Sequence, residues 1–477
     1  MYKRNIKYLI FSLLPILISA VFLSLNFNGL PYQVGLFFSR PWGEAQLSAP
    51  KFLFLIPVSA VIFLIIDTGT AFYLEKKGKR ELADVSRVVA VLQAVFLSFC
   101  LISIVYNSSP HDFFRNLEIL NLVGPWLISF LAVYFVTPSV IRFANSRNLI
   151  DDPATHHHPA QLLSKPTPRG GALAFFIGFV LVSLLFLPFT KPLMGIFLGT
   201  LLLVIVGLID DRAKYTSPKM RLVLQFLAAF FVVGAGVGIS YIENPLGSTI
   251  LLDRVVIPFD FIGHHSIVLF ADIFAVLWIV FLANAVSWSN GIDGQFSGFA
   301  GIACLVIALV SAKTAVSDND PTQMGVAVLA AIASGSAFGL APATWHPQKI
   351  LWGFGATAVG LVIGALSILS LSKVYIVSMV LLVPLIDSLV TGLRRILQKK
   401  SPFWGDRGHL HHRMLDLGWS KPQIALFYWL VTAIFGMITV LSNESDIDLD
   451  VVRFGVGTVF LIVTVNLGVE WRKTRTK

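Results

Sequence analysis

Long apolar stretches separated by short polar ones recur along the whole chain. A helix that spans a bilayer needs roughly 20 mostly apolar residues. Segments of that kind lie at about 8–26, 52–73, 88–106, 120–141, 172–190, 192–209, 222–241, 269–288, 298–315, 324–342, 351–370, 374–393, 422–441 and 452–469. The pattern predicts an all-α, polytopic integral membrane protein of about fourteen transmembrane helices. Lys3, Arg4 and Lys7 before the first apolar run imitate a secretory signal. Because thirteen more runs follow, the first is read as an uncleaved span.

Composition narrows the picture. Of 477 residues, 56% are hydrophobic and 13% charged, against about 25% charged in a soluble domain. A soluble fold is excluded, and so is intrinsic disorder, which needs low hydrophobicity. The net charge of +10 could suit nucleic acid, but in a membrane protein excess Lys and Arg mark cytoplasmic loops, so no nucleic-acid partner is expected. With the N-terminus in the cytoplasm, all but eight of the 36 Lys and Arg fall on the inner side. The eight are Arg40, Lys51, Arg115, Lys191, Arg254, Lys313, Lys373 and Arg453. The acidic loop with Glu444, Asp446, Asp448 and Asp450 then lies outside, and the basic tail lies inside, so both termini are expected in the cytoplasm. Cys100 and Cys304 sit in apolar runs as packing thiols and build neither a disulfide framework nor a zinc site.

The inner side also holds nearly every unusual polar cluster: 151–171, 210–221, 287–295, 346–349 and 394–421. No inverted repeat of the secondary-transporter kind is visible. Residues 1–116, with three spans and little intramembrane charge, read as an accessory module. Residues 117–477 read as a core of eleven spans with cytoplasmic loops.

Four clusters could carry chemistry. Asp210 and Asp211 end an apolar run, where paired carboxylates are costly unless solvated, paired or bound to a cation. They suit either a helix end reaching water or Mg²⁺ shared with a diphosphate, with Lys219 and Arg221 one to two turns on. Asn284, Ser287 and Asn290 follow at i, i+3 and i+6, a spacing that shares one helical face, with Asp293 after Gly291. Helix–helix hydrogen bonding is the plainer reading, a substrate-facing stripe the functional one. The loop from Ser401 to Arg413 gathers Asp406, Arg407, His409, His411 and His412. Metal ligation is open to the histidines, but Arg and His donors together suit phosphate oxygens better. Finally, Lys165, Arg169 and the glycines of KPTPRGG (165–171) offer charge and close backbone approach. The preceding run His156, His157 and His158 reads as solvated.

These segments resemble a known family. From about 120 to 470 the chain is similar to the polyprenyl-phosphate N-acetylhexosamine-1-phosphate transferases, the MraY/WecA-type membrane enzymes of glycosyltransferase family 4. The GlcNAc-1-phosphate branch matches best. The stretches KPTPRGG (165–171), GLIDDRAKYTSPKMRLVLQ (207–225), NAVSWSNGIDG (284–294), HPQKI (346–350), PLID (384–387) and SPFWGDRGHLHHRMLDLG (401–418) run in family order. The resemblance implies transfer of a sugar 1-phosphate from a UDP-sugar to polyprenyl (undecaprenyl) phosphate, releasing UMP. It implies Asp210, Asp211 and Asp293 as catalytic and metal residues, with Mg²⁺ as cofactor or Mn²⁺ in its place. It further implies Lys165, Lys219, Asn284, Asn290, Arg407, His409, His411 and His412 around substrate. The expected setting is the plasma (inner) membrane with the active site facing the cytoplasm, in the initiation of cell-envelope glycan synthesis. A homodimer is a candidate assembly.

Three positions depart from the family pattern. Ser287 and Asn290 replace an Asn and an Asp of the Asn-x-x-Asn-x-x-Asp-Gly-x-Asp-Gly motif, and Phe354 in LWGFGAT stands where the family has an acid. In the family, that acid and the second Asn are implicated in holding Mg²⁺. Two alternatives therefore accompany the transferase reading: a weakly active or inactive relative that binds polyprenyl phosphate or partner enzymes, and, behind it, a transporter.

Overall fold

The computed structural model describes residues 12–36 with interruptions at 14, 18, 21, 25–26 and 28–29, then 46–108, 119–154, 162–213, 217–243, 249–260, 264–370, 373–401, 406–441, 451 and 453–466. His156, His157, His158, the acidic loop 444–450 and the basic tail lie outside these residues. Two compact units divide the chain, Met1–Leu120 and Asn121–Lys477.

In the first unit, helix α1 (Leu55–Lys76) packs along α2 (Arg80–Ser108). Small and branched residues one turn apart, Ala60 and Leu64 on α1 and Ala90 and Ala94 on α2, meet in a common core. Arg87 of α2 pairs with Glu75 of α1 across this hairpin. A short ribbon, β1 (Val34–Gly35) with β2 (Leu47–Ser48), closes the unit.

The second unit contains α3 (Ile119–Ser146) from Asn121 onward, α4 (Gly171–Phe186), α5 (Lys191–Ala213), α6 (Pro218–Gly234), α7 (Leu269–Trp288), α8 (Gln295–Ser317), α9 (Pro321–Thr344), α10 (Ala356–Leu369), α11 (Lys373–Val380), α12 (Leu382–Leu397), α13 (Leu410–Asp416) and α14 (Lys421–Leu441). A further apolar helix covers Arg453–Asn466. Short loops make antiparallel neighbours of α5 and α6 and of α8 and α9, while α10 lies against both α5 and α7. Lipid offers no hydrophobic drive between helices, so close backbone approach through small residues does the packing. A Cβ on Gly335 of α9 would stand 2.1 Å from the Trp126 carbonyl of α3, and one on Gly360 of α10 would stand 2.6 Å from Ala283 of α7.

A helix occupies part of every predicted apolar segment. Among the described residues, seven are long and apolar enough to cross a membrane, or eight if a bent pair counts as one span. The chain is thus a predominantly helical, polytopic membrane protein. The helices are joined by small hairpins that periodicity does not foresee, among them β3 (Ile150–Asp151) with β4 (Thr167–Pro168), β5 (Tyr241–Glu243) with β6 (Thr249–Leu251), and β7 (Val256–Asp260) with β8 (His264–Val268).

Two spans differ from their expected form. The segment expected at 374–393 is broken: α11 and α12 meet at 86°. Pro384 has no N–H for the Val380 carbonyl and its ring crowds that position, which is where α11 ends. Beyond the bend, α12 turns Asp387, Ser388, Thr391 and Arg395 inward. It leaves Leu389, Leu393 and Leu397, at i, i+4 and i+8, exposed. The segment expected from 351 begins helix only at Ala356, because Leu351 is held in an extended link: its N–H donates to the Pro168 carbonyl at 2.8 Å and its carbonyl accepts from Gly171 at 2.9 Å. That link joins the KPTPRGG loop to the stretch carrying Phe354.

Candidate active site

The acid pair ends α5. Asp211 is buried and accepts from Arg169 Nη1 at 2.7 Å and from the Phe354 backbone N–H at 3.3 Å. Arg169 reaches on through Nη2 to Asp151 at 2.5 Å. Asp210, also buried, accepts from Arg221 Nε at 3.0 Å and Nη2 at 2.8 Å. The Arg221 guanidinium lies 5.0 Å from the centre of the Phe354 ring, a cation–π distance. Arg221 belongs to the first turns of α6, where Ser217 caps the helix by accepting from Met220 N–H. One turn along α6, Gln225 exchanges amide hydrogen bonds with Asn284 of α7 at 2.7 and 3.3 Å.

Helix α7 ends at Trp288, so Asn290 does not extend the Asn284 and Ser287 face; its N–H closes a turn onto the Ser287 carbonyl at 3.1 Å. Gly291 then allows the turn to meet the histidine loop: a Cβ there would stand 2.1 Å from His411 Nε2. Asp293 is buried and uses both oxygens, one toward His346 Nδ1 at 2.6 Å and the other toward Lys421 Nζ at 3.1 Å. The strand of chain from His346 to Phe354 therefore runs between Asp293 and Asp211.

A polar chain holds the histidine loop. Asp387 of α12 accepts from Leu410 N–H at 2.8 Å and lies 2.8 Å from His409 Nδ1; His409 Nε2 lies 3.3 Å from Arg395. Arg395 and Arg394 both reach Asp406, at 3.0 and 2.8 Å, and Gly408 N–H donates to it at 2.8 Å. Burial pushes the Asp406 carboxyl up, but the Arg395 and Gly408 hydrogen bonds and the two arginine charges outweigh it and hold the group at about 2. Burial, with the charges of Arg407 and His409 adding, lowers His412 to about 4; burial with the neighbouring histidines also lowers His411. Both rings are neutral near pH 7, and His411 and His412 each keep a buried Nδ1 without a hydrogen-bond partner. Beside the loop lies a cavity of about 680 Å³ lined by Arg394, Gln398, Asp406, Arg407, Arg413 and Asp416. Three guanidinium groups in its wall suit a phosphate-bearing ligand.

The expected residues thus form a connected arrangement with some changes of part. Asp210, Asp211, Asn284, Asp293, His409, His411 and His412 all enter it, whereas Lys165 and Lys219 are exposed at its margin and Arg407 pairs with Asp416 at 3.2 Å. His409 spends both ring nitrogens on protein partners, so it orients the loop. Sequence reasoning missed Gln225, Asp387, Arg395 and Lys421 as site residues. Gln225 could have been found from its i+4 spacing to Arg221. Lys421 reads in sequence only as a charge at the foot of a span.

The expected metal set of Asp210, Asp211 and Asp293 does not fit a divalent cation held by protein carboxylates. Mg²⁺ asks for near-octahedral oxygen ligation, yet each of these acids is already engaged by Arg169, Arg221, or Lys421 with His346. Among the described residues, no three His, Cys, Asp or Glu side chains gather into a group that could hold a metal ion.

Comparison with known proteins shows what the chain is similar to. The profile of "Glycosyl transferase family 4" matches residues 193–371, the stretch from α5 through α10 that carries the acid pair and Asp293. Over that stretch the chain is similar to that family. It is 28% identical over 338 residues to the probable undecaprenyl-phosphate N-acetylglucosaminyl 1-phosphate transferase of Bacillus subtilis, covering 69% of this chain and 87% of that protein. It is 27% identical to the decaprenyl-phosphate N-acetylglucosaminephosphotransferase of Mycolicibacterium smegmatis, covering 73% and 87%. To the phospho-N-acetylmuramoyl-pentapeptide-transferase of Nitratiruptor it is 26% identical, covering 66% and 93%. The chain is thus a membrane protein similar to phospho-sugar transferases.

Proposed function

We propose that this protein transfers N-acetylglucosamine 1-phosphate from UDP-GlcNAc to undecaprenyl phosphate at the cytoplasmic face of the inner membrane. An oxygen of the lipid phosphate attacks the sugar-bearing phosphorus of the donor, the bond from that phosphorus to the bridging oxygen breaks, and UMP leaves with the electron pair. The product is a polyprenyl-diphosphate sugar that starts a cell-envelope glycan. Phosphoryl transfer is chiefly positioning and charge neutralisation, so ionised acceptor phosphate needs little further activation.

The observation that carries this reading is the contact between two motifs distant in sequence: the Gly291 turn against His411, beside the arginine-lined cavity. That cavity is the place for the donor diphosphate, with Arg394, Arg407 and Arg413 as cations and neutral His411 and His412 as hydrogen-bonding groups. The acid pair orients Arg169 and Arg221 toward the lipid phosphate, while the apolar outer stripe of α12 suits the prenyl chain. The relatives' names support the substrates, since two of them carry GlcNAc phosphate to undecaprenyl or decaprenyl phosphate. The test is purified protein with UDP-GlcNAc, undecaprenyl phosphate and millimolar Mg²⁺, scored for UMP. Release of UMP only when both substrates are present supports the reading, and no release from UDP-GlcNAc overturns it.

A further inference from the structure

The acid pair shows an arrangement at odds with carboxylates kept for a cation. Asp211 Oδ1 receives both Arg169 and the Phe354 N–H, and its Oδ2 lies where a Cβ on Gly353 would come within 2.0 Å. Asp210 Oδ1 receives two nitrogens of one guanidinium, and the face of that guanidinium is taken by the Phe354 ring. A divalent ion bound through Oδ1 of either acid would have to displace a guanidinium group from a buried carboxylate, and breaking such pairs is strongly unfavourable. Phe354 supplies no ligand in exchange. It does supply a surface that holds Arg221 in place.

Each acid of the pair is matched by one guanidinium, Asp211 by Arg169 and Asp210 by Arg221. The N-terminal end of α6, with Ser217 as its cap, adds partial positive charge at Arg221. Arg169 also keeps its buried Nε without a hydrogen-bond partner. A planar guanidinium is well matched to phosphate oxygens.

We infer that Arg169 and Arg221, oriented by Asp151, Asp211 and Asp210 and by the Phe354 ring, supply the positive charge for the lipid phosphate, so that this chain binds a prenyl phosphate without a divalent cation of its own. The inference rests on the transferase reading for the identity of the lipid and deepens it by assigning the phosphate subsite.

The test uses the full-length protein in nanodiscs, with no nucleotide present, and undecaprenyl phosphate as the probe. Its dissociation constant should agree within about twofold between excess EDTA and millimolar Mg²⁺, and Arg221→Gln should raise it about tenfold or more, the scale of one lost charge-assisted hydrogen bond. In parallel, Mn²⁺ electron paramagnetic resonance on the lipid-free protein should show no stoichiometric bound ion. These wild-type measurements need no substitution, so they stay decisive if Arg221→Gln fails to fold. A tenfold or greater loss of lipid affinity in EDTA, or one bound Mn²⁺ per chain that Asp211→Asn removes, overturns the inference and leaves the transferase reading standing. Absence of lipid binding in both buffers overturns the transferase reading together with the phosphate subsite, a pattern distinct from loss in EDTA alone.

Discussion

Gly353 offers the sharpest test of how the acid pair is built. Its φ of +66° lies in the left-handed region, and a Cβ there would stand 2.0 Å from Asp211 Oδ2 and 2.9 Å from its Cγ. Gly353→Ala therefore faces two separate costs. Holding a non-glycine residue at this φ costs about 1–2 kcal/mol. The carboxylate must also move, giving up Arg169 at 2.7 Å and the Phe354 N–H at 3.3 Å, and breaking a buried pair costs about 3–5 kcal/mol. If the backbone holds, the sum approaches the lower end of the total stability of a domain, about 5–15 kcal/mol; any relaxation lowers it. Gly392 in α12 is the control, because a Cβ there meets nothing within 4 Å and its helical backbone favours alanine by about 0.5–1 kcal/mol. The assay is thermal melting in detergent beside UMP release. Gly353→Ala should melt at least about 5 °C lower and turn over at least about 10²-fold more slowly, with Gly392→Ala at or above the wild-type melting point. Wild-type melting and turnover for Gly353→Ala would refute the placement of Asp211 against this turn.

Two further outcomes follow from the histidine loop. Asp387→Asn keeps the shape but offers one acceptor oxygen to two N–H groups, so turnover should fall about tenfold or more, as for a lost hydrogen bond to a charged group. Hydrogen exchange in residues 406–416 should rise with it, and unchanged exchange would show that Asp387 does not hold the loop. In acid, His411 and His412 are kept neutral by the fold while the unfolded chain gains protons below about 6.5. Their contribution is complete above that pH and is lost as pH falls through the folded value, about 4 for His412. Asp406 has the depressed carboxylate's behaviour, complete above its ordinary value of 3.8 and lost only toward about 2. Melting temperature should therefore decline between about pH 6.5 and 4 in the wild type, and His412→Gln should flatten that decline; a slope unchanged by the substitution would count against a buried neutral ring.

Apolar run length was enough to show a helical membrane protein, because the bilayer core sets a minimum for each span that does not depend on what packs beside it. Local motifs were likewise enough to mark Asp210, Asp211, Asn284, Asp293 and the loop from Asp406 to His412, because acids, amides and clustered cations at the ends of apolar runs are costly without a purpose. Pro384 was visible in the sequence, but whether it would bend a span or end one depended on where the following polar face could be buried. The pairings were not legible at all. Arg169 with Asp211, Arg221 with Phe354, Gln225 with Asn284, Asp387 with His409 and Lys421 with Asp293 each join segments far apart along the chain or on different helices. Periodicity describes one helix at a time, whereas an ion pair depends on which helix ends meet, and the small-residue crossings of the bundle decide that. For the same reason Asp210 and Asp211 read in sequence as either a helix end or cation ligands, with Asp293 a ligand only through the family resemblance, while the tertiary structure sets a basic side chain beside each of them.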